Sequence, residues 1–340
     1  MLGSKPRIDL WYGNTQSFGH CGQPQRWVNV LGRVTSVQPM RQLTYTLNGG
    51  AVSQLSVGPD GRRLAARGDF NIDLDTRDLA PCNHVVRIHA VDAGGQEATA
   101  TVTLTIAAEP CPLPRTIDWS QVARIQDVAQ VVDGLWSLRA QGVSPLEIGY
   151  DRLLAIGDMR WRDYEVEAPI TVHGINAACY NDPSVHAGVG FVMRWKGHSD
   201  WGKDEWASGQ PYFGPGPYGA IGWYCIFHDA GPLLNFFDPD FRRMAEAPRT
   251  LALHVPYVFK VRVETAPDAS SRYSLKVWRA DGGEPAAWDL VTPGPMAGLT
   301  EGAVLLGAHH MAVTAAGQRT AGAARRRGLQ RGSARPEPHG

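Results

Sequence analysis

The sequence has no excess of charge of either sign and no long apolar run. Its 340 residues include 33 Lys and Arg and 33 Asp and Glu, which gives a formal net charge of zero. A surface that is not basic is a poor match for nucleic acid or anionic membranes. No stretch reaches the roughly 18 apolar residues of a membrane span, and residues 1–9 have no apolar core of a signal peptide. We therefore expect no nucleic-acid partner, no transmembrane segment and no export signal.

Cysteine is scarce, and none of it stands at a metal-binding spacing. The five residues are Cys21, Cys82, Cys111, Cys179 and Cys225, so at least one thiol has no cysteine partner. Free buried thiols are the expectation. A Cys82–Cys111 or Cys21–Cys82 disulfide would require an oxidising compartment.

Several sequence patterns of catalysis are also missing. The chain has no G-x-S-x-G, H-E-x-x-H or phosphate-loop pattern. His309 and His310 point to opposite sides of a strand end with no third ligand in view, which argues against a zinc site. Glycoside hydrolysis is different because it needs only two carboxyl groups, and it is considered below.

Turn-forming residues are abundant, with 38 Gly and 24 Pro at short intervals between β-branched runs. This pattern predicts an all-β protein, because helices would need longer periodic segments. The segment most similar to a helix, 125–138, alternates well enough to form two strands around a turn at Asp133-Gly134. Eleven Trp and ten Tyr indicate large β cores or surfaces on which a planar or sugar-like ligand stacks.

The first unit is predicted to span residues 8–108. Its predicted strands cover 27–34, 43–47, 54–57, 69–74, 84–90 and 98–106, and the last of them alternates apolar residues with Thr. The succession of segments 43–50, 68–74 and 84–95 resembles bacterial immunoglobulin-like or cadherin-like repeats. The resemblance implies a β-sandwich that acts as a spacer for its neighbour.

A linker is predicted over residues 109–116. Three of the residues from Pro110 to Pro114 are prolines, which favour an extended chain and remove ladder donors.

The second unit is predicted to span residues 117–313. Segments 163–172, 188–195, 259–264 and 273–278 alternate apolar and polar residues, which predicts two sheets packed face to face. Together with 302–310, the segments 161–167, 188–195, 257–264 and 273–278 resemble the concanavalin A-like lectin/glucanase superfamily, which includes laminin-G-like domains. The resemblance implies a jelly roll and leaves three functions open: lectin, hydrolase or adhesion module.

The tail from 314 to 340 is predicted to be disordered. Its last 22 residues hold six Arg and one Glu and have no strand pattern. The closing strand of the resembled fold is therefore expected to be absent. One alternative is a basic tail that binds nucleic acid or lipid. Another is a shifted reading frame that has replaced the closing strand.

Asp163, Glu165 and Glu167 are the candidate catalytic residues of a hydrolase. Residues at i, i+2 and i+4 of a strand share a face, with neighbouring Cα atoms about 7 Å apart. Paired carboxyl groups at such distances serve glycoside hydrolysis. A solvated outer face is the preferred interpretation, so we expect no catalysis.

The aromatic stretch 194–224 is the candidate glycan site. Aromatic rings stack on sugars, and polar side chains bind hydroxyls. Gly188 and Gly190 would leave a shallow trough beside it. The predicted ligand-binding residues are Arg194, His198, Trp201, Trp206, Tyr212 and Tyr224.

We therefore predict a non-catalytic, lectin-like protein with an immunoglobulin-like spacer. Its partner would be a polysaccharide or glycoconjugate, and the alternatives are a glycoside hydrolase and an adhesion protein without a small ligand. No cofactor is required, although Asp238 and Asp240 beside Asn235 are weak candidates for Ca²⁺ ligands. The resemblance suggests a bacterial envelope or secreted setting, and the sequence leaves the oligomeric state open.

Overall fold

The computed structural model describes residues 4–176, 186–198, 216–294 and 298–323. Within these ranges the chain forms 24 β-strands and three single turns of 3-10 helix, at Thr76–Asp78, Trp119–Gln121 and Ile125–Asp127. The predicted all-β class is confirmed. None of the helices in the described ranges has the length and apolar character needed to cross a membrane.

The first unit contains two sheets packed on one apolar core. Its strands are β1 (Arg7–Leu10), β2 (Thr15–Phe18), β3 (Trp27–Thr35), β4 (Met40–Leu47), β5 (Val52–Gln54), β6 (Asp69–Asp75), β7 (Asn83–Asp92) and β8 (Glu97–Ile106). The sheets have the orders β1-β3-β6 and β2-β8-β7-β4-β5, with β2 parallel to β8.

Five of the six strands predicted in the first unit are found, and the sixth is displaced. β5 lies at Val52–Gln54 rather than at 54–57, and β1 and β2 were not predicted. Both missed strands have four residues, too few for an alternation to stand out from the flanking loops. The immunoglobulin-like family of this unit stays a prediction.

The second unit is a larger sandwich. Its strands are β9 (Arg115–Asp118), β10 (Gln130–Asp133), β11 (Trp136–Arg139), β12 (Gly142–Pro145), β13 (Arg152–Ile156), β14 (Tyr164–Ile175), β15 (Ala187–Trp195), β16 (Ala220–Phe227), β17 (Gly231–Phe237), β18 (Arg243–Pro248), β19 (Pro256–Thr265), β20 (Ser271–Arg279), β21 (Leu290–Pro293), β22 (Ala303–His309), β23 (Met311–Ala315) and β24 (Gly317–Gly322). As predicted, two strands flank the turn at Asp133-Gly134, although β10 and β11 join different sheets.

Two sheets enclose the main core of the second unit. The seven-stranded sheet has the order β10-β13-β22-β15-β16-β17-β18, and the nine-stranded sheet has the order β11-β12-β23-β14-β19-β20-β21, with β24 and β9 added beside β14. The four alternating segments of the sequence are β14, β15, β19 and β20, so their prediction is confirmed. Val166, Val261 and Phe191 are fully buried between the sheets, and full burial stabilises each such side chain by about 1.5–3 kcal/mol.

The boundary at residue 313 and the expected absence of a closing strand are wrong. β23 continues to Ala315, and β24 pairs with both β14 and β9. Gln318 and Thr320 of β24 are buried. The segment is small and polar, but pairing on both sides supplies backbone hydrogen bonds that a sequence pattern does not show. The hypothesis of a shifted reading frame thereby loses its premise, and residues 324–340 lie outside the described ranges.

The two units are joined by a buried polar interface. Arg63 of the first unit is buried and pairs with Asp73 and with Asp133 of the second. Gln130 Nε2 donates to the Trp27 carbonyl oxygen at 2.6 Å. The predicted linker is packed as well: Cys111 is buried, and its carbonyl oxygen accepts from Trp161 Nε1. The first unit is therefore docked against the second.

Candidate ligand cavity

A cavity of about 170 Å³ lies on the outer face of the seven-stranded sheet, at its central strands β22, β15 and β16. Its floor includes Gly190 and Gly307, which are direct partners across β15 and β22. A Cβ added at Gly307 would meet only Leu153 Cδ2 at 3.5 Å, which is ordinary contact. The space above the sheet at Gly307 therefore exists because this position carries no side chain, whereas a Cβ at Gly190 would collide with the Gly222 carbonyl oxygen and with Trp223.

Aromatic rings form much of the cavity wall. Tyr150, Trp195, Trp223 and Phe241 all line it. Trp223 projects from β16 toward the outer face, because strand residues alternate and its neighbour Tyr224 lies in the main core. Rings arranged in this way offer flat apolar surfaces to a ligand.

An Asp–His pair supplies the polar side of the cavity. His309 Nδ1 lies 2.8 Å from Asp151 Oδ1, and the His309 ring stands edge-on to Tyr150 with centroids 4.9 Å apart. Burial by itself would raise the pKa of Asp151, but the hydrogen bond and charge of His309 lower it, and the net shift is downward. Asp151 therefore presents a carboxylate at neutral pH.

His186 closes another side of the cavity as a neutral ring. Its ring stacks on Phe227 with centroids 4.9 Å apart and lies 5.0 Å from His309. Burial, and next the charge of His309, lower the pKa of His186 to about 4. At neutral pH this imidazole carries one N–H and one acceptor nitrogen.

Two polar atoms of the wall have no hydrogen-bond partner within the described part of the chain. They are Trp223 Nε1 and His186 Nε2, both buried. An unsatisfied buried polar atom costs about 1–3 kcal/mol, so such atoms are uncommon in a folded protein. Neither atom has surface open to the cavity in this structure, so a ligand would reach it only after the ring turns.

Arg194, His198 and Tyr224, which the sequence predicts to be ligand-binding, are buried in the protein. Arg194 is 0 % exposed and donates to Ser271, Leu299 and Thr265, as well as to Asp163. His198 is 4 % exposed and pairs with Asp133 at 3.1 Å. Tyr224 lies in the core between the sheets. Their contacts are structural, which corrects the expectation that they touch a ligand.

The acidic residues Asp163, Glu165 and Glu167 lie on the nine-stranded sheet, away from the cavity. Glu165 pairs with Arg262 and Lys260, and Glu167 pairs with Lys260 at 3.1 Å. Asp163 accepts from Thr265 N at 2.7 Å and from Arg194. Cations and donors of the protein itself therefore occupy all three carboxylates.

Asp238 and Asp240 form a turn. Asp238 Oδ1 accepts from the backbone N–H groups of Asp240 and Arg242 at 2.9 and 2.8 Å, and Asp240 pairs with Arg242. No cluster of three or more His, Cys, Asp or Glu suited to a metal occurs in the described ranges. These residues therefore do not fit the expected Ca²⁺ site.

Other predicted residues have separate outcomes. Trp201, Trp206 and Tyr212 lie outside the described residues, as does Cys179. Cys21, Cys82, Cys111 and Cys225 are free thiols. Of the two predicted trough glycines, Gly190 lines the cavity and Gly188 does not. A Cβ at either position would come close to Trp223.

The cavity residues that the sequence analysis did not select are Tyr150, Asp151, His186, Trp223 and His309. Trp223 belongs to the aromatic stretch 194–224. Because neighbouring residues of a strand face opposite sides of the sheet, alternation could have shown that Trp223 and Tyr224 do not share a face. Asp151 and His309 are 158 residues apart and meet only because β13 pairs with β22.

Comparisons with known proteins found matches only among solved structures. No family model and no curated protein matches the chain. The exoplasmic/lumenal domain of VIP36, in a form bound to Ca²⁺ and Man2, is 10 % identical with a TM-score of 0.38, over 61 % of this chain and 86 % of that one. A Bacillus subtilis protein of unknown function with a galectin-like fold is 11 % identical with a TM-score of 0.35, over 62 % and 96 %.

A third match is lectin UEA-II complexed with galactose. It is 7 % identical with a TM-score of 0.30, over 62 % of this chain and 98 % of the lectin. At these values the matches assign neither a family nor a ligand to the chain.

Proposed function

We propose that this chain is a non-catalytic carbohydrate-binding protein whose site is the cavity on the seven-stranded sheet. The observation that carries the proposal is the combination of Gly307 on the floor, aromatic walls and the Asp151–His309 pair at one place. Apolar ring faces and oxygen acceptors on one small molecule are the chemistry of a sugar. The partner would be a glycoconjugate or polysaccharide that ends in an accessible sugar.

The size of the cavity supports a single sugar ring. A cavity of about 150 Å³ admits one benzene molecule, and this one measures about 170 Å³. We therefore infer that it takes one terminal monosaccharide, with any further sugar units outside it.

The charges around the cavity favour a neutral sugar. The Asp151 carboxylate would accept hydrogen bonds from sugar hydroxyls and would repel a uronic or sialic acid. Trp223 Nε1 would donate to a ring or hydroxyl oxygen, and the ring of Trp223 or Phe241 would cover one apolar face. Among the described residues that line the cavity, Asp151 is the one carboxylate, whereas glycoside hydrolysis uses two.

A pure adhesion role is the second candidate, and an extracellular or cell-envelope setting fits both. The sequence-based proposal that Trp201, Trp206 and Tyr212 contact the glycan remains open beside the cavity, as does the immunoglobulin-like character of the first unit. The structure supports no Ca²⁺ requirement at Asp238 and Asp240.

A glycan array followed by titration calorimetry with single neutral monosaccharides tests the proposal. Trp223→Phe keeps an aromatic ring but removes the N–H group. We expect about fivefold weaker binding, because a hydrogen bond contributes about 1 kcal/mol and 1.4 kcal/mol is tenfold in affinity. Trp223→Ala removes the ring as well and should weaken binding further.

Trp288→Phe is the matched control and should bind as the parent does, because Trp288 lies in the loop between β20 and β21 and packs on Arg262 and Lys276 of the nine-stranded sheet. Trp201→Ala tests the loop aromatics separately. A blank array, or parent-like binding by Trp223→Ala, would overturn the assignment of the cavity.

A further inference from the structure

The first unit reaches the cavity wall through one loop. Between β5 and β6, Asp60 Oδ1 accepts from the backbone N–H groups of Arg62 and Leu64 at 2.7 and 3.0 Å, and Leu64 is buried. These bonds fix the tip of the loop, so that the directions of the Arg62 and Arg63 side chains are set by the fold of the first unit.

Arg63 fastens this loop to the second unit. Its guanidinium pairs with Asp133 and also lies 3.4 Å from the Val132 carbonyl oxygen, both on β10. Asp133 in turn pairs with His198. Because the side chains of Arg63, Asp133 and His198 are all buried, the contact holds the tip of the loop in one position.

Arg62, which precedes Arg63 in the chain, lies over a wall of the cavity. Its guanidinium carbon is 5.6 Å from the centroid of the Tyr150 ring, within the range of a cation–π contact, and its side chain also hydrogen-bonds to Tyr150. The Tyr150 ring also stands edge-on to His309, which pairs with Asp151, and to His310. Arg62, Tyr150 and His309 therefore form a continuous series from the first unit to the ligand cavity.

We propose that Arg62 is a positioning residue for the ligand site, and that the first unit is a part of that site rather than a spacer. The proposal rests on the proposed sugar-binding function. Arg62 holds the Tyr150 ring against His309 and so sets the width of the cavity at its polar wall. Without this contact the ring would move among rotamers, and the ligand would have to fix it on binding.

The binding experiment uses the full chain with Arg62→Ala, Arg62→Met and Arg62→Lys. We expect Arg62→Ala and Arg62→Met to weaken monosaccharide binding about five- to tenfold, as expected for a cation–π contact that also orients a ring. Lysine keeps the positive charge but lacks the planar guanidinium group, so the monosaccharide affinity of Arg62→Lys should lie between that of these two variants and that of the parent. Arg77→Ala is the matched control, because the ion pair of Arg77 with Asp75 lies within the first unit.

A double-mutant cycle separates positioning from general damage. If Arg62 acts through Tyr150, adding Arg62→Ala to a Tyr150→Ala variant should cause no further loss of affinity. A full additional loss in that background, or parent-like affinity of Arg62→Ala, would overturn the proposal.

A measurement without ligand distinguishes this proposal from the function on which it rests. The imidazole NMR signals of His309, identified by their loss in His309→Gln, should shift in Arg62→Ala because the Tyr150 ring moves, while the signals of the distant His89 stay in place. Unmoved His309 signals would overturn the positioning role. A parent protein that binds no sugar would overturn the proposed function, while shifted His309 signals would still support the Arg62–Tyr150 contact.

Discussion

The outer face of the nine-stranded sheet carries a ladder of charges, whereas the outer face of the seven-stranded sheet carries aromatic rings and glycines. On the first face Lys260 contacts Glu165, Glu167 and Glu284, and Lys276 pairs with Glu284 at 2.7 Å. On the second, the described residues of the apolar cluster around Trp195, Ile221 and Trp223 are buried. The same alternation along strands thus produces one face whose charges pair with one another and one face whose large apolar side chains are buried.

This difference between the two faces shows why acidic residues at alternate positions of a strand were a poor guide to the proposed ligand cavity. Glu165 and Glu167 share a face, as predicted, but each faces a cation on β19 because β14 and β19 pair in register. The cavity instead lies where glycines interrupt the packing of large side chains. An absent side chain is a weaker sequence signal than a row of charges.

The strongest test of the comparison fills the cavity without disturbing the other sheet. Gly307→Leu places a side chain on the floor, where a Cβ has ordinary contact distances. We expect sugar binding to fall more than about 100-fold, because the ligand would clash with the new side chain. The melting temperature should not fall, since glycine in a strand is itself unfavourable by about 0.5–1 kcal/mol.

Gly174→Leu on β14 is the matched control. A Cβ at Gly174 meets no atom within 4 Å, so the side chain would extend into open space on the nine-stranded sheet. Parent-like binding by Gly307→Leu, or an equal loss in Gly174→Leu, would place the site elsewhere.

Much of the fold could be predicted from the sequence, but little of the cavity. β14, β15, β19 and β20 were found because alternation with period two is local to each strand. Arg194 was misassigned because an arginine beside a loop resembles a surface residue. Its backbone has φ of 52°, and its guanidinium bonds to Ser271 and Thr265, which are about 70 residues away in the chain. Contacts of this range depend on strand order, which no local pattern reports.

The aromatic face should also make the protein sensitive to acid. Burial lowers the pKa of His186 and of His310 to about 4, whereas an unfolded histidine titrates near 6.5. Between pH 6.5 and 4 the unfolded chain therefore binds protons that the folded chain does not. The free energy of unfolding should fall as the pH is lowered through this window, by about 1.4 kcal/mol per pH unit for each histidine at most.

His186→Phe should remove roughly half of this acid sensitivity, since one of two buried imidazoles is gone and phenylalanine can stack on Phe227. Urea unfolding of parent and variant at pH 6.5, 5.5 and 4.5 measures the effect. His89→Phe, at an exposed position of the first unit, is the control. An unchanged pH dependence in His186→Phe would show that this ring is not held neutral by the fold.

The smallest effect is expected from the charge ladder itself. Glu165→Gln removes one carboxylate that pairs with Arg262 and Lys260, and both cations retain other contacts, Lys260 with Glu167 and Arg262 with the ring of Trp288. The side chains of this cluster are partly buried, at 12–22 % exposed, but each cation keeps another partner, so unfolding in urea should shift by about 1 kcal/mol or less. Sugar binding should be unchanged, because the residue lies on the sheet opposite the cavity. Glu246→Gln, which breaks the exposed pair with Arg243, provides the reference for a surface pair.

A polysaccharide panel tests the alternative function, glycoside hydrolysis. Turnover by the parent that is lost in Glu165→Gln would restore the hydrolase, and would mean that the charged face rather than the aromatic one carries the chemistry.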